Sequence, residues 1–274
     1  MRLPVLGQGT WRMGEDRSRR KSEIEALRLG LDLGMTLIDT AEMYAEGGAE
    51  EVVGEAIADR EREEVFVVSK VYPHNASRRG VTEACTRSLR RLKTEYIDLY
   101  LLHWRGDIPL SETLEGFQDL KNNGSIRAFG VSNFDVSDME EALALPGGDE
   151  IATNQVLYNL MHRGIEWDLL SWCQTHGIPI MAYSPVGIDA AEQRRVFGNP
   201  TVKGIASRHN ATPVQVALAW LLRHPDVIVI PKASQPEHIR QNSAALEIKL
   251  TDQDLDQLDK AFPPPNRKVA LETS

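Results

Sequence analysis

A chain of 274 residues is long enough for one large α/β barrel or for two ordinary domains. With 42% hydrophobic and 26% charged residues it has a globular composition, and no apolar run approaches the ~20 residues of a membrane-spanning helix. The net charge of -9 argues against nucleic acid and anionic membrane as partners, and the two cysteines, Cys85 and Cys173, lack metal-like or CxxC spacing, which points to a reducing, cytoplasmic setting.

The opening MRLPVLGQGTW is too short and too interrupted for a secretory leader and reads as a first strand over 5–10. The basic run Arg17, Arg19, Arg20, Lys21 reads as a solvated loop and helix start. A helix over 22–33 follows, stopped by Gly34, and then a strand over 36–39. Next come a helix over 49–59, a strand over 65–70, a helix over 79–92 and a strand over 97–103. The pattern continues with a helix over 111–122 closed by Gly124, a strand over 126–132, a helix over 135–145 and a strand over 152–156. A helix over 165–176 ends at Gly177 before a strand over 178–183. A long helix over 200–223, a strand over 227–230, and helices over 236–245 and 252–260 complete the chain, the last announced by the cap signal LTDQD.

Short apolar strands separated by amphipathic helices pair in parallel through right-handed crossovers. Eight such units in a chain of this length predict a (β/α)8 TIM barrel, with no Pro-rich or Ser-rich linker to divide it, so one domain over 1–274 is expected. A doubly wound dinucleotide fold is rejected. GQGTWRMG places only two glycines in register with GxGxxG, and no helix opens there.

Polar and aromatic groups stand at or just past the end of every strand: Thr10 and Trp11; Asp39 with Tyr44; Lys70; His103 with Trp104; Ser132 and Asn133; Gln155; Tyr183 and Ser184; Lys232. Each has an ordinary explanation alone. Asp39 can cap a turn, Lys70 can snorkel to solvent, and a lone His is more often a satisfied core residue. Together they form a ring on the rim where barrels build their chemistry, and a core would be cheaper to fill with Val and Leu.

Asp39, Tyr44, Lys70 and His103 make chemical sense as one set. A phenol titrates near pH ~10 and is a sluggish acid at neutrality; a neighbouring ammonium lowers that value, and a carboxylate holds the ammonium. The phenol then donates a proton to an oxygen gaining negative charge, while an imidazole orients that oxygen. There is no HExxH, CxxC or GxSxG. Hydride from a nicotinamide is the natural complement.

Over nearly its whole length the chain resembles the aldo-keto reductase superfamily. GQGTW, LIDTAEMY, VSKV, LLHW, GVSNF, NQVLYN, AYSPVG and IPKASQPEHIRQN follow in the family's order, and the bacterial short-loop members, diketogluconate-type and methylglyoxal-type reductases, are the most similar subgroup. The resemblance implies Tyr44 as general acid, tuned by Lys70 and Asp39, with His103 orienting the carbonyl. It implies that Ser132, Asn133 and Gln155 hold the cofactor's carboxamide and Tyr183 stacks on its nicotinamide ring, with Thr10, Trp11, Asp39, Ser184, Pro185 and Val186 as further cofactor contacts. Lys232, Ser234, His238, Gln241 and Asn242 are implied at the adenosine-phosphate end, with Ile230, Pro231 and Ala233 as further cofactor contacts. Trp11, Tyr44, Tyr72, His103 and Trp104 are the expected substrate walls.

NADP(H) is implied as cofactor, with NAD(H) as an alternative, because His238 stands where the family often has an arginine that grips the 2′-phosphate. The short segment WRGDIPL and the nine-residue tail after Pro265 imply an open pocket for small or polar carbonyls. A monomer is implied by resemblance. The competing reading is a nicotinamide-binding regulatory subunit of the same fold, which turnover with a small aldehyde would separate.

Overall fold

The computed structural model describes residues 4–273; the expected single unit over 1–274 extends beyond them at both ends. Eight strands form one parallel sheet in sequential order: β1 Gly7–Gly9, β2 Leu37–Asp39, β3 Phe66–Val71, β4 Ile97–Leu102, β5 Ile126–Ser132, β6 Ile151–Leu157, β7 Ile180–Tyr183 and β8 Val227–Val229. The sheet closes on itself. Leu6 pairs in parallel with Val229, whose N–H donates to Val5 O at 2.8 Å, and Gly9 N–H donates to Pro231 O at 3.0 Å. The expected TIM barrel is therefore formed.

Around it lie α1 Arg20–Asp32, α2 Gly48–Ile57, α3 Arg78–Leu92, α4 Leu110–Asn122, α5 Val136–Ala144, α6 Leu169–Thr175, α7 Ala190–Gly198, α8 Pro200–Arg208, α9 Pro213–Leu222, α10 Pro236–Ala244 and α11 Asp252–Ala261. Gly34 and Gly124 stop α1 and α4 with φ of 86° and 82°, a conformation that side-chain-bearing residues resist. At the start of α11, Thr251 and Asp254 form a reciprocal capping box.

Three expectations change. The helix predicted over 200–223 is two helices, α8 and α9. The chain turns at Asn210, with φ of 49°, and restarts at Pro213 under a Thr212–Gln215 capping box. Proline lacks the N–H that a continuous helix needs and fits the first helical position instead. The stretch 165–176 is a 3-10 turn, Gly164–Glu166, followed by the short α6. Helix α7 was not anticipated, because Val196 is its single buried residue and so it carries no apolar stripe.

The core has two layers separated by the sheet. Inside the barrel, Leu37, Phe66, Val68, Leu99, Leu101, Met181, Ile228 and Ile230 pack together. Ile38, Val67, Tyr100 and Leu102 face the helices instead. The alternation follows from the two-residue period of a strand. Continued toward the strand ends, the same inward parity reaches Asp39 after Leu37, Lys70 after Val68, His103 after Leu101, Tyr183 after Met181 and Lys232 after Ile230.

Candidate active site

The inward columns end at a cavity of about 630 Å³. Its wall includes Thr10, Trp11, Asp39, Tyr44, His103, Trp104, Ser132, Asn133, Gln155, Tyr183, Ser184, Pro185, Val186, Ile230 and Lys232, all anticipated from the sequence. Arg12, Met43 and the segment Gly187, Ile188, Asp189, Ala190 and Gln193 also line it and were missed. The signal for that segment was Asp189 before AAEQRR. Its carboxylate accepts from Ala191 N–H at 2.7 Å and Glu192 N–H at 2.8 Å and starts α7.

Behind this wall and not itself lining it, Lys70 Nζ donates to Asp39 Oδ2 at 2.7 Å, to Thr40 O at 2.9 Å and to Tyr44 OH at 3.2 Å. An ammonium has three protons, and these three acceptors use all of them. The other Asp39 oxygen, Oδ1, accepts from Gln155 Nε2 at 2.7 Å. Lys70 is completely buried and Asp39 nearly so. In register Asp39 lies level with Val68, one inward step below Lys70, so the lysine reaches back to its partner.

Tyr44 arrives from a 3-10 turn, Tyr44–Gly47, in which Ala45 and Glu46 adopt left-handed φ of 51° and 53°. Such residues cost about 1–3 kcal/mol each and persist only where their surroundings hold them. Gly47 follows at φ 92°, and a Cβ there would stand 2.4 Å from Arg91 Nε, so the glycine serves both conformation and close approach. Trp11 meets the Tyr44 ring edge-on at 4.9 Å, and His103 meets it at 5.7 Å.

Burial pushes the Tyr44 phenol above its ordinary value, and the opposing pull of Lys70 does not overcome it. The expectation of a net lowering is thus reversed: the phenol keeps its proton. Burial also works against the Lys70 ammonium, but Asp39, Tyr44 and their hydrogen bonds outweigh it and raise it. His103 is pushed down to about 2 by burial and by the Lys70 charge, so its imidazole is neutral. Its Nδ1 is buried with no hydrogen-bond partner.

A second polar cluster faces the first. Ser132 Oγ donates to Gln155 O at 2.8 Å, Asn133 Nδ2 to His103 O at 3.2 Å, and Tyr183 OH to Asn133 Oδ1 at 3.0 Å. Asn133 is itself left-handed, with φ of 60°. A primary amide finds donors and acceptors here, a flat ring finds Tyr183, and Lys232 offers a cation to a phosphate. That donor set fits a nicotinamide nucleotide.

Some anticipated residues stand elsewhere. Tyr72 does not reach the cavity wall. Strand β3 ends at Val71, Glu42 captures the Tyr72 N–H at 2.8 Å, and the ring packs on His74 and edge-on against Trp104 at 5.9 Å. Pro231, Ala233 and Ser234 lie between the end of β8 and α10, and His238, Gln241 and Asn242 lie on α10, all outside the cavity wall. Of these, His238 is exposed on α10 and Asn242 is buried.

The chain belongs to the aldo/keto reductase family, whose profile matches residues 5–262. It is 54% identical over 270 residues to the methylglyoxal reductase YeaE of Escherichia coli, covering 98% of this chain and 95% of that one. It is 34% identical over 261 residues to the methylglyoxal reductase DkgB of Salmonella typhi, covering 93% and 91%. The fold superposes with a TM-score of 0.96 on an aldo-keto reductase from Klebsiella pneumoniae in complex with NADPH, at 51% identity and covering 99% of this chain and 95% of that one.

Proposed function

We propose that this chain is an NADP(H)-dependent reductase of small aldehydes and ketones, methylglyoxal among them, with Tyr44 as the proton donor. The observation that carries the reading is Lys70 Nζ within hydrogen-bond reach of both Asp39 and Tyr44 OH, which line a cavity together with a neutral His103. The methylglyoxal reductases among its relatives and the NADPH complex of its structural neighbour support the substrate class and the cofactor.

When bound, the reduced cofactor supplies the hydride that a polypeptide lacks. The chain's own groups do the rest. Ser132, Asn133 and Gln155 would hold the carboxamide and Tyr183 would stack on the nicotinamide ring. Thr10, Ser184, Pro185, Val186 and Ile230 line the path outward. Lys232, with Pro231, Ala233, Ser234, His238, Gln241 and Asn242, takes the phosphate and adenosine end. Trp11 and Trp104 wall the substrate.

The carbonyl oxygen sits between Tyr44 OH and His103. The phenol holds its proton until negative charge develops on that oxygen, then releases it. Lys70 makes the resulting phenolate tolerable, and Asp39 keeps the ammonium charged and in place. Because His103 stays neutral across the working range, it orients the oxygen without adding a titration of its own near neutrality.

Steady-state consumption of NADPH with methylglyoxal, an aromatic aldehyde, an aldose and a keto-sugar tests the reading. Tyr44→Phe is expected to retain NADPH affinity and to lose kcat by about a hundredfold or more. Wild-type turnover in that variant would remove Tyr44 from the role. No turnover of any carbonyl by the wild-type protein would favour a nicotinamide-binding regulatory subunit instead.

A further inference from the structure

Gln155 enters the reading above as a holder of the carboxamide, yet its shortest hydrogen bond in the protein goes elsewhere. From β6 it crosses the barrel interior to β2, where Nε2 donates to Asp39 Oδ1 at 2.7 Å. The same nitrogen lies 2.8 Å from Met181 Sδ on the adjacent strand. A carboxylate only accepts, so the amide must present its NH2 to Asp39, which leaves Oε1 for a different donor. A primary carboxamide is such a donor. Gln155 is 1% exposed, and Asp39 is 2% exposed. A carboxylate oxygen left bare at this depth is costly.

The connections run in series. Gln155 fixes Asp39 Oδ1; Asp39 Oδ2 takes one Lys70 proton; Lys70 donates its remaining protons to Thr40 O and Tyr44 OH. We propose that Gln155 is a positioning residue for proton delivery: by anchoring the far oxygen of Asp39 it holds the Lys70 ammonium on the Tyr44 hydroxyl, and it joins the carboxamide seat to the proton donor. The inference rests on the reading of Tyr44, Lys70 and the carboxamide seat given above.

Two variants test it. Gln155→Leu removes the donor and is expected to lower kcat at saturating NADPH and substrate by about tenfold to a hundredfold at every pH, the size expected for a buried hydrogen bond to a charged group. Gln155→Glu keeps the length and, while protonated, keeps a donor to Asp39. Two adjacent carboxyls resist double ionisation, so its proton is held above the usual carboxylate range. Its kcat is expected to approach wild type in acid and to fall through one added ionisation as pH rises. The unloaded protein supplies a second readout. A carboxyl whose folded value is raised contributes stability below its unfolded value, and that contribution disappears as pH rises through the folded value. The melting temperature of Gln155→Glu should therefore drop with pH relative to wild type, without any cofactor present.

The inference is overturned if both variants raise only the KM and Kd for NADPH while kcat stays at wild type with no added ionisation. It is also overturned if both lose kcat equally at all pH values, since that is mere structural damage. Should Gln155→Leu fail to fold, the pH profiles of the near-isosteric Gln155→Glu decide alone. Tyr44→Phe is measured alongside. If it keeps turnover, the proton-donor reading fails; if it is inactive while the Gln155 variants change only NADPH binding, the positioning role alone fails.

Discussion

On the outer face of β3, Ser69 donates to Glu50 Oε1 at 2.6 Å, and Glu50 Oε2 accepts from Arg91 Nε at 2.6 Å. On the inner face, one residue further along, Lys70 meets Asp39 at 2.7 Å. Both are carboxylates paired at depth with a cation and a second donor. They differ in what else the cation touches. Arg91 lies against Gly47 and braces the turn that carries Tyr44, with all its partners inside the protein. Lys70 reaches a hydroxyl that borders a cavity. The contrast teaches that a buried ion pair is not by itself a sign of catalysis; a titratable group between the pair and an open space is.

Breaking each pair in turn sharpens that contrast. Lys70→Met should have the largest effect. It leaves Asp39 buried and unpaired, which should cost about 3–5 kcal/mol of stability. It also removes the charge that stabilises a Tyr44 phenolate, so kcat should fall by about a hundredfold to ten-thousandfold. Thermal melts followed by circular dichroism and saturating turnover measure both, and near-normal activity at neutral pH would falsify the tuned-phenol mechanism. Glu50→Gln should cost about 1–3 kcal/mol, because Gln keeps the shape and loses a charged hydrogen bond. Its kcat should stay within about tenfold of wild type, the loss coming only through looser placement of Tyr44. A Glu50→Gln loss as large as that of Lys70→Met would erase the distinction between the two faces.

A third charge site, only partly buried, extends the comparison to pH. His162 lies between Glu192 at 2.9 Å and Glu272 at 3.0 Å, tying the segment after β7 to the C-terminal tail. Burial opposes its protonation, but the two carboxylates and their hydrogen bonds outweigh it and raise the imidazole above its ordinary value. A raised folded value means that this contribution to stability is complete below the unfolded value of about 6.5 and is lost as pH rises through the folded one. Proteolysis of the tail should therefore quicken above neutrality in wild type, and that pH dependence should disappear in His162→Gln. Equal cleavage rates on both sides of neutrality in wild type would remove the link.

The smallest expected effect lies outside the cavity wall. His238→Arg places a permanent, forked cation on α10 and should raise the preference for NADPH over NADH by roughly tenfold. An unchanged ratio of dissociation constants would mean that His238 does not face the 2′-phosphate.

Much of the site was legible in the sequence because strand parity is local. Asp39, Lys70, His103 and Tyr183 each continue an apolar column read off at every second residue, and their place at a strand end is visible without any partner. The glycine and capping signals that ended α1 and α4 and began α11 are equally local. Helix α7 was hidden because it buries little, and the break before α9 was hidden by apolar residues on both sides of Pro213.

The sequence by itself determined the eightfold strand–helix alternation, the ring of polar residues on one rim and the family motifs that carry them. Only the tertiary structure decided that Tyr72 stays behind Trp104, that Ile188 and Asp189 reach the cavity, and that burial outweighs Lys70 at the Tyr44 phenol. It alone showed that Gln155 spans the barrel to Asp39, 116 positions away in the chain. The reason is physical. Periodicity and capping act over a few residues of one chain segment, whereas desolvation, stagger between strands and hydrogen bonds across a barrel depend on which distant segments share one closed space.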